Sequence, residues 1–396
     1  MTWLLCMKKR LKDSDMKKIG YIVYGILFHI FRIFGVNQKK VVLFMVHNCH
    51  FKGNLNFIYE EMRQRDPSLQ FVITSKKEIF ALKGAGVAKV FSLIRATWRF
   101  YVVLNFHLAT AKYIFLNDNF QPMVYMNFSK EAKVVQLWHG VGAFKRFGLS
   151  TETIPLNRMC TEKGNKRLTH LIVSCPQVIG HYAEAFGVSG DVIFPDGVPV
   201  TDYYFDEERK AKGRERFYEK YPELKGKKIL LYTPTFRKTL EENLQLLTHF
   251  DYKEVKKQLG EEWEILIRLH PQVHEALTID PVYAYDMTEY DDVKDLYLVS
   301  NTLVNDYSST MVEYALLGKP IVLYPYDFEE YDRGFYCDYK LYAPGPITYT
   351  LEDMIAHVKE EKADTKAIQN FIEVHYGVRD GQATKRVVDR VMSQES

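Results

Sequence analysis

The chain has 396 residues, 47% of them apolar and 26% charged, the make-up of a globular protein with room for two domains and not of a disordered chain. Its net charge of +3 is too small to imply a nucleic-acid partner. Five scattered cysteines, with no CxxC pair, argue against a disulfide framework or a cysteine zinc site and fit a reducing cytoplasm.

The charge is unevenly spread, because residues 1–40 hold nine Lys/Arg against two Asp. Within them the apolar run 19–36 carries His29 and Arg32 and falls short of the roughly 20 clean apolar residues that a membrane span requires. No small-residue cleavage site follows it, so a signal peptide is not expected. Ile19, Ile22, Val23, Ile26, Leu27, Ile30 and Phe34 recur at helical spacing. Lys8, Lys9, Arg10, Lys12, Lys17 and Lys18 flank the run on one side, Lys39 and Lys40 on the other. This basic amphipathic segment is expected to lie on an anionic membrane surface. The alternative is a helix packed on the chain's own first domain.

From residue 41 onward short apolar runs alternate with stretches of helical period, which predicts an α/β protein with parallel sheets covered by helices. The expected strands of the first half are 41–46, 69–74, 112–117, 134–139 and 170–175, with helical stretches such as 57–65 and 96–111 between them. Those of the second half are 229–236, 264–270, 296–305 and 320–325. The polar stretch at about 200–226 reads as a linker passing into a helix. The organisation expected is a membrane-associating segment (1–40), a first Rossmann-like domain (41–205), a second (206–365), and C-terminal helices (366–396) returning to the first domain.

In open α/β sheets ligands sit beyond the carboxyl ends of strands, and the residues there are rich in chemistry. Gln136-Leu137-Trp138-His139-Gly140-Val141-Gly142-Ala143-Phe144-Lys145 puts an imidazole at a strand end beside glycines that allow close backbone approach. Tyr232-Thr233-Pro234-Thr235-Phe236-Arg237 offers hydroxyls and a guanidinium suited to phosphate oxygens, although a strand–turn with a surface arginine would look the same. In Arg268-Leu269-His270-Pro271 a proline stops the strand and holds a second histidine at its exit. In Asn305-Asp306-Tyr307-Ser308-Ser309-Thr310, Asp306 or Ser308 is expected to cap a helix that Gly318 and Pro320 end, and Glu313 follows one turn on. Ser308, Ser309 and Thr310 would stand at the helix N-terminus as an anion site, or form a plain capping cluster.

Taken in order, QLWHGVGAFKRFG, YTPTFR, RLHP, NDYSSTMVEYALLGKPIVLYPYD and YDRGFYCDYKLYAPGP resemble the CDP-glycerol glycerophosphotransferase family, the teichoic acid glycerol- and ribitol-phosphate transferases. The resemblance covers residues from about 40 to 350. It implies a GT-B architecture, two Rossmann-like domains facing across a cleft, and transfer of glycerol phosphate, or ribitol phosphate second, from a CDP-alditol to a hydroxyl of a lipid-linked saccharide acceptor. His139 becomes the base. His270 joins it as a catalytic residue, Arg237, Thr235, Ser308, Ser309, Asp306 and Glu313 bind the donor, with the Glu313 carboxylate at the ribose, and Lys145 and Asn54 lie on the acceptor side. Asn301 and Asn305 stand where the family often has Asp and Thr, and Glu313 where it often has Asp.

Apart from the donor substrate no cofactor is expected, and no DxD pair at a strand end calls for a metal. The protein is expected at the cytoplasmic face of a bacterial membrane, as a primase-type enzyme, because family members that build long chains often carry an extra domain. Two rivals remain at this point: a GT-B glycosyltransferase using a nucleotide-sugar, and an inactive membrane-surface binding homologue.

Overall fold

The computed structural model describes residues 2–46, 51–270, 273, 277–331 and 333–393, with side chains from residue 14 onward. Cys49, Pro271, Asp332 and the side chains of Cys6, Lys8, Lys9, Arg10 and Lys12 lie outside the described residues. The chain divides into two units, 1–140 with 146–202 and 377–396, and 141–145 with 203–376.

The first unit is built on a six-stranded sheet of β1 (Asn37–Met45), β2 (Gln70–Ser75), β3 (Ala111–Leu116), β4 (Lys133–Gln136), β5 (His170–Ile172) and β6 (Ile193–Phe194), in the order β2-β1-β3-β4-β5-β6. All of its pairings are parallel. Strands covered on both faces bury every side chain, which is why Val41–Met45 and Ile114–Leu116 read as unbroken apolar runs. The Asn54–Arg65 helix and the C-terminal Ala383–Met392 helix close one face, with Leu55, Ile58, Met62, Val387, Val388 and Val391 in the core.

The second unit holds β7 (Lys228–Thr233), β8 (Trp263–Ile267), β9 (Tyr285–Asp286), β10 (Thr302–Asn305) and β11 (Ile321–Leu323), in the order β11-β10-β7-β8-β9 and again all parallel. The order reverses at β7, which pairs with β8 on one side and β10 on the other. That reversal opens a crevice beyond the ends of β7 and β10, where open α/β sheets receive ligands.

Four expectations are corrected. The run 296–305 is not one strand: Val293–Val299 is a helix whose N-cap, Asp292, accepts from the Lys294 N–H, and only Thr302–Asn305 is strand. Continuous apolarity cannot tell a buried helix from a strand. Here the cap starts the helix, and Lys319 Nζ stops it by donating to the carbonyls of Tyr297, Leu298 and Ser300. The C-terminal region is split, because the Thr365–His375 helix belongs to the second unit and only residues from Gly377 return to the first. Residues 141–145, which follow the first histidine cluster, belong to the second unit.

Nor do residues 1–40 form a separate segment. The Thr2–Phe31 helix packs on the first unit through Tyr24 and Phe28, both fully buried, and Asn105 Nδ2 donates to Tyr24 O at 2.9 Å. Its stripe of Ile19, Ile22, Val23, Ile26 and Ile30 nevertheless remains exposed. The helix therefore docks with one face and leaves the other in solvent. A Cβ at Gly25 would lie 2.5 Å from Tyr125 Cβ and 2.6 Å from Tyr125 O, so Gly25→Val has no room at the docked face. Such overpacking is expected to cost about 1–3 kcal/mol in thermal unfolding. An unchanged melting temperature would show that the helix is not held at this contact.

Candidate active site

In the first unit β4 ends at Gln136, and the next turn is held from several sides. Gln136 Oε1 accepts from the Trp138 N–H at 2.9 Å, and its Nε2 donates to Asp118 O at 3.0 Å. Trp138 takes a left-handed conformation, φ 56°, which a bulky L-residue adopts only when its surroundings impose it. Asn54 Nδ2 donates to Trp138 O at 3.1 Å while its Oδ1 accepts from the Val200 N–H at 2.8 Å. The indole stacks on Phe147 and meets Phe186 edge-on. The consequence is that His139 is turned outward, 52% exposed, with Nδ1 3.3 Å from Asp118 Oδ2. A carboxylate facing Nδ1 favours the tautomer that leaves Nε2 free to take a proton. Sequence reading missed Asp118, which follows β3 and carries no motif of its own.

In the second unit the ends of β7 and β10 are joined by polar side chains. Asn305 Nδ2 donates to Thr233 Oγ1 at 2.9 Å and to Thr310 Oγ1 at 2.7 Å. Asp306 is fully buried and accepts from the N–H groups of Thr235 and Tyr307. Its carboxylate also meets Arg237 Nη1 at 3.0 Å. The same guanidinium pairs with Asp327, Nε to Oδ2 at 2.5 Å and Nη2 to Oδ1 at 2.9 Å. The Tyr307 and Tyr326 rings lie 5.2 and 5.4 Å from Arg237 Cζ. Burial works against the charge on Arg237, but Asp306 and Asp327 outweigh it and hold the guanidinium protonated.

These contacts revise several sequence assignments. Arg237 and Asp306 form a buried ion pair. Asp306 also does not cap the following helix; that helix spans only Thr310–Tyr314, with Ser309 at its N-cap position and Ser308 Oγ accepting from the Thr310 N–H at 3.5 Å. Asn54 spends both ends of its amide on backbone and is a brace for the His139 turn. Lys145 lies in the second unit, where its backbone bridges antiparallel to Phe335 and Phe144 O accepts from the Tyr336 N–H at 2.9 Å.

The second unit also holds further basic and hydroxyl-bearing side chains. Burial and the neighbouring Arg333 charge lower the Lys145 pKa to about 8. Burial and the Lys145 charge lower that of His270, whose ring packs on Phe236 at 4.5 Å. Ser309 is exposed, Ser308 partly so, and the buried Thr235 Oγ1 and Tyr331 hydroxyl have no hydrogen-bond partner among the described residues. Glu313 is half-buried and accepts from the Tyr204 hydroxyl at 2.8 Å.

The Arg237 pair has a direct test in stability. Asp306→Ala strips a buried guanidinium of one partner and two backbone N–H groups of their acceptor, which is expected to cost about 3–5 kcal/mol in denaturant unfolding. A loss under about 1 kcal/mol would mean that the turn after β7 does not depend on this carboxylate.

The sequence profile of the CDP-glycerol:poly(glycerophosphate) glycerophosphotransferases matches residues 26–393. The chain is 35% identical over 388 residues to the teichoic acid poly(ribitol-phosphate) polymerase of Bacillus spizizenii, covering 95% of this chain but 60% of that protein. It is 32% identical to the teichoic acid ribitol-phosphate primase of the same organism, over 90% of this chain and 92% of the primase. The teichoic acid glycerol-phosphate primase of Bacillus subtilis is 28% identical over 81% of this chain and 84% of its own length. The solved structure of the wall teichoic acid polymerase TagF superposes with a TM-score of 0.74 at 21% identity, covering 96% of both chains, so the pair of parallel α/β sheets is the fold of that enzyme. With the profile spanning nearly the whole chain and the His139, Arg237, His270 and Ser308 clusters each at a strand end of that fold, the chain belongs to the CDP-glycerol:poly(glycerophosphate) glycerophosphotransferase family.

Proposed function

We propose that this chain transfers an alditol phosphate from a CDP-alditol to a hydroxyl of a lipid-linked saccharide acceptor, releasing CMP, in the synthesis of a teichoic acid or related polymer. The acceptor oxygen attacks the donor's β-phosphorus, the bond from that phosphorus to the bridging oxygen breaks, and a phosphodiester forms. The observation that carries the reading is His139, turned outward by the strained Trp138 and faced on Nδ1 by Asp118 at 3.3 Å. In that state Nε2 takes the proton from the attacking hydroxyl. Lys145, Arg333, His270 and the Ser308 and Ser309 hydroxyls supply the positive and hydrogen-bonding groups for the pyrophosphate, in place of the Arg237 assigned from sequence. Thr235 Oγ1 adds an uncommitted hydroxyl at the same strand end. No metal is required by this scheme.

Ribitol now ranks ahead of glycerol as the alditol, because the ribitol-phosphate polymerase and primase, at 35% and 32% identity, exceed the glycerol-phosphate primase at 28%. A panel of CDP-ribitol, CDP-glycerol and a UDP-sugar with a lipid-linked acceptor, run with and without EDTA, tests donor and metal together. Product length in the same assay separates primase from polymerase. His139→Ala is expected to lower kcat by about 100- to 10,000-fold with donor affinity kept within a few-fold, since a general base is not needed to hold the nucleotide. Asp118→Asn should fall between that variant and wild type. Normal turnover in His139→Ala, or transfer from the UDP-sugar alone, would sink the assignment.

We further propose that the first unit docks on the cytoplasmic leaflet of the membrane that carries the acceptor. No helix is long and apolar enough to span a bilayer among the described residues. Two helices of this unit expose apolar side chains beside bases, however. The Thr2–Phe31 helix shows Ile19, Ile22, Val23, Ile26 and Ile30 near Lys17 and Lys18. The Val87–Trp98 helix buries only Ala96 and leaves Val87, Val90, Phe91, Ile94 and Trp98 outside, with Lys89, Arg95 and Arg99 among them. Apolar side chains entering the acyl boundary with bases at anionic headgroups is the physics of a peripheral anchor. Because Tyr24 and Phe28 are core, the informative variant is Ile26→Glu/Phe91→Glu and not a truncation. It is expected to weaken binding to phosphatidylglycerol vesicles at least about tenfold, from the loss of apolar burial worth about 1.5–3 kcal/mol per side chain. Melting temperature and activity on a soluble acceptor should stay unchanged, and wild-type vesicle binding would put the anchor elsewhere.

A further inference from the structure

The chain passes from the first unit to the second between Asp202 and Tyr203, inside the short helical segment Pro199–Phe205. On the first side Asp202 accepts from the N–H groups of Ala383 and Thr384 at 2.9 and 2.8 Å, fixing the start of the Ala383–Met392 helix. On the second side the Tyr203 hydroxyl reaches Asp295 Oδ1 at 3.4 Å. Tyr204, its ring buried and edge-on to Tyr203, donates its hydroxyl to Glu313 Oε2 at 2.8 Å. The last crossing, at Tyr376 and Gly377, ends on the same helix, since the Tyr376 hydroxyl donates to Val312 O at 2.8 Å. These two of the four crossings thus place a tyrosine hydroxyl on neighbouring residues of the Thr310–Tyr314 helix.

Among the described residues no other group donates a hydrogen bond to the Glu313 carboxylate. Tyr204 occupies Oε2, and Oε1 accepts no hydrogen bond among the described residues. The charged and titratable groups facing Glu313 are Tyr204 from the crossing segment and Asp292, Lys294 and Tyr297 from the Val293–Val299 helix and its cap. Burial raises the Glu313 pKa and Asp292 adds to that, while Lys294 and the Tyr204 hydrogen bond oppose the rise.

We propose that Tyr204 is a positioning residue for nucleotide recognition, holding Oε2 of Glu313 so that Oε1 is oriented and charged to accept from the two hydroxyls of the donor's ribose. This rests on the reading of Glu313 as the ribose-binding carboxylate. A ribose diol has two donors to give, and an anion with one oxygen already tied in place accepts them without paying for its own ordering. The donor class is therefore a ribonucleotide, and a sugar lacking both hydroxyls is discriminated against at this residue.

The experiment compares CMP with 2′,3′-dideoxy-CMP by calorimetric titration of the full chain, across the acid-to-neutral range, in wild type, Tyr204→Phe and Glu313→Gln. Tyr204→Phe keeps the ring and is expected to reduce the CMP preference about five- to tenfold, the loss of one hydrogen bond. A hydrogen bond to a carboxylate stabilises its charged form, so removing it raises the Glu313 pKa. The preference for CMP should therefore be lost at a higher pH in Tyr204→Phe than in wild type. Incorporating 3-fluorotyrosine at position 204, whose more acidic hydroxyl donates more strongly, should move that limb to lower pH, and it serves if Tyr204→Phe does not fold. An unchanged preference and an unchanged pH limb in these variants, with the preference abolished in Glu313→Gln, would overturn the role of Tyr204 and leave Glu313 standing. A full preference in Glu313→Gln would remove the ribose reading itself.

Discussion

A buried carboxylate organises the second unit. Asp306 stands where β10 ends and reaches across to the backbone that follows β7, taking the Thr235 N–H and the Arg237 guanidinium. An unpaired charge in that position would be prohibitive, and the arrangement is tolerable only because the desolvated charges are paired and the remaining lone pairs are filled. Asp327 completes the neutralisation of Arg237, and Tyr307 donates to Asp327 at 2.9 Å while its ring faces the guanidinium. The two strand ends flanking the sheet's reversal point are in this way fixed to each other before any ligand arrives. The hydroxyl-bearing side chains of Thr233, Thr235 and Thr310 are in this way carried on a rigid edge.

The first unit solves a similar problem with strain. Trp138 is forced to positive φ, and a brace of Gln136, Asn54 and the Phe147 and Phe186 rings over-determines its position. Local strain of this kind persists only where neighbouring contacts hold it. Its product is a histidine directed away from the core with one ring nitrogen set against Asp118. The residues immediately after it, Val141–Lys145, belong to the second unit, so the His139 loop is continuous in sequence with the strap that presents Lys145.

Several side chains were legible in type but not in use. Arg237 and Asp306 looked like ligand-facing groups because each follows a strand in a polar motif; that they satisfy one another depends on β7 and β10 being neighbours, although 64 residues of chain intervene between Thr235 and residue 300, a pairing local pattern does not encode. Asn54 is placed on the acceptor side by the resemblance, yet its two amide partners are 84 and 146 residues away. Tyr204 drew no attention at all within a polar linker, and neither did Asp118, since a lone tyrosine or aspartate has no spacing to mark it.

By itself the sequence determined the α/β class, the parallel sheets, most strand positions and the placement of the polar motifs at strand ends, because apolar periodicity and strand-stopping Gly and Pro are local properties of the chain. The ordered set of motifs also determined the family. It could not separate helix from strand in the uniformly apolar 296–299 stretch, nor tell that the N-terminal helix both docks and stays exposed. Only the tertiary structure decided which polar groups neutralise one another. Hydrogen bonding and charge pairing are short-ranged in space and indifferent to separation along the chain, so they are settled when the strands pair and not before.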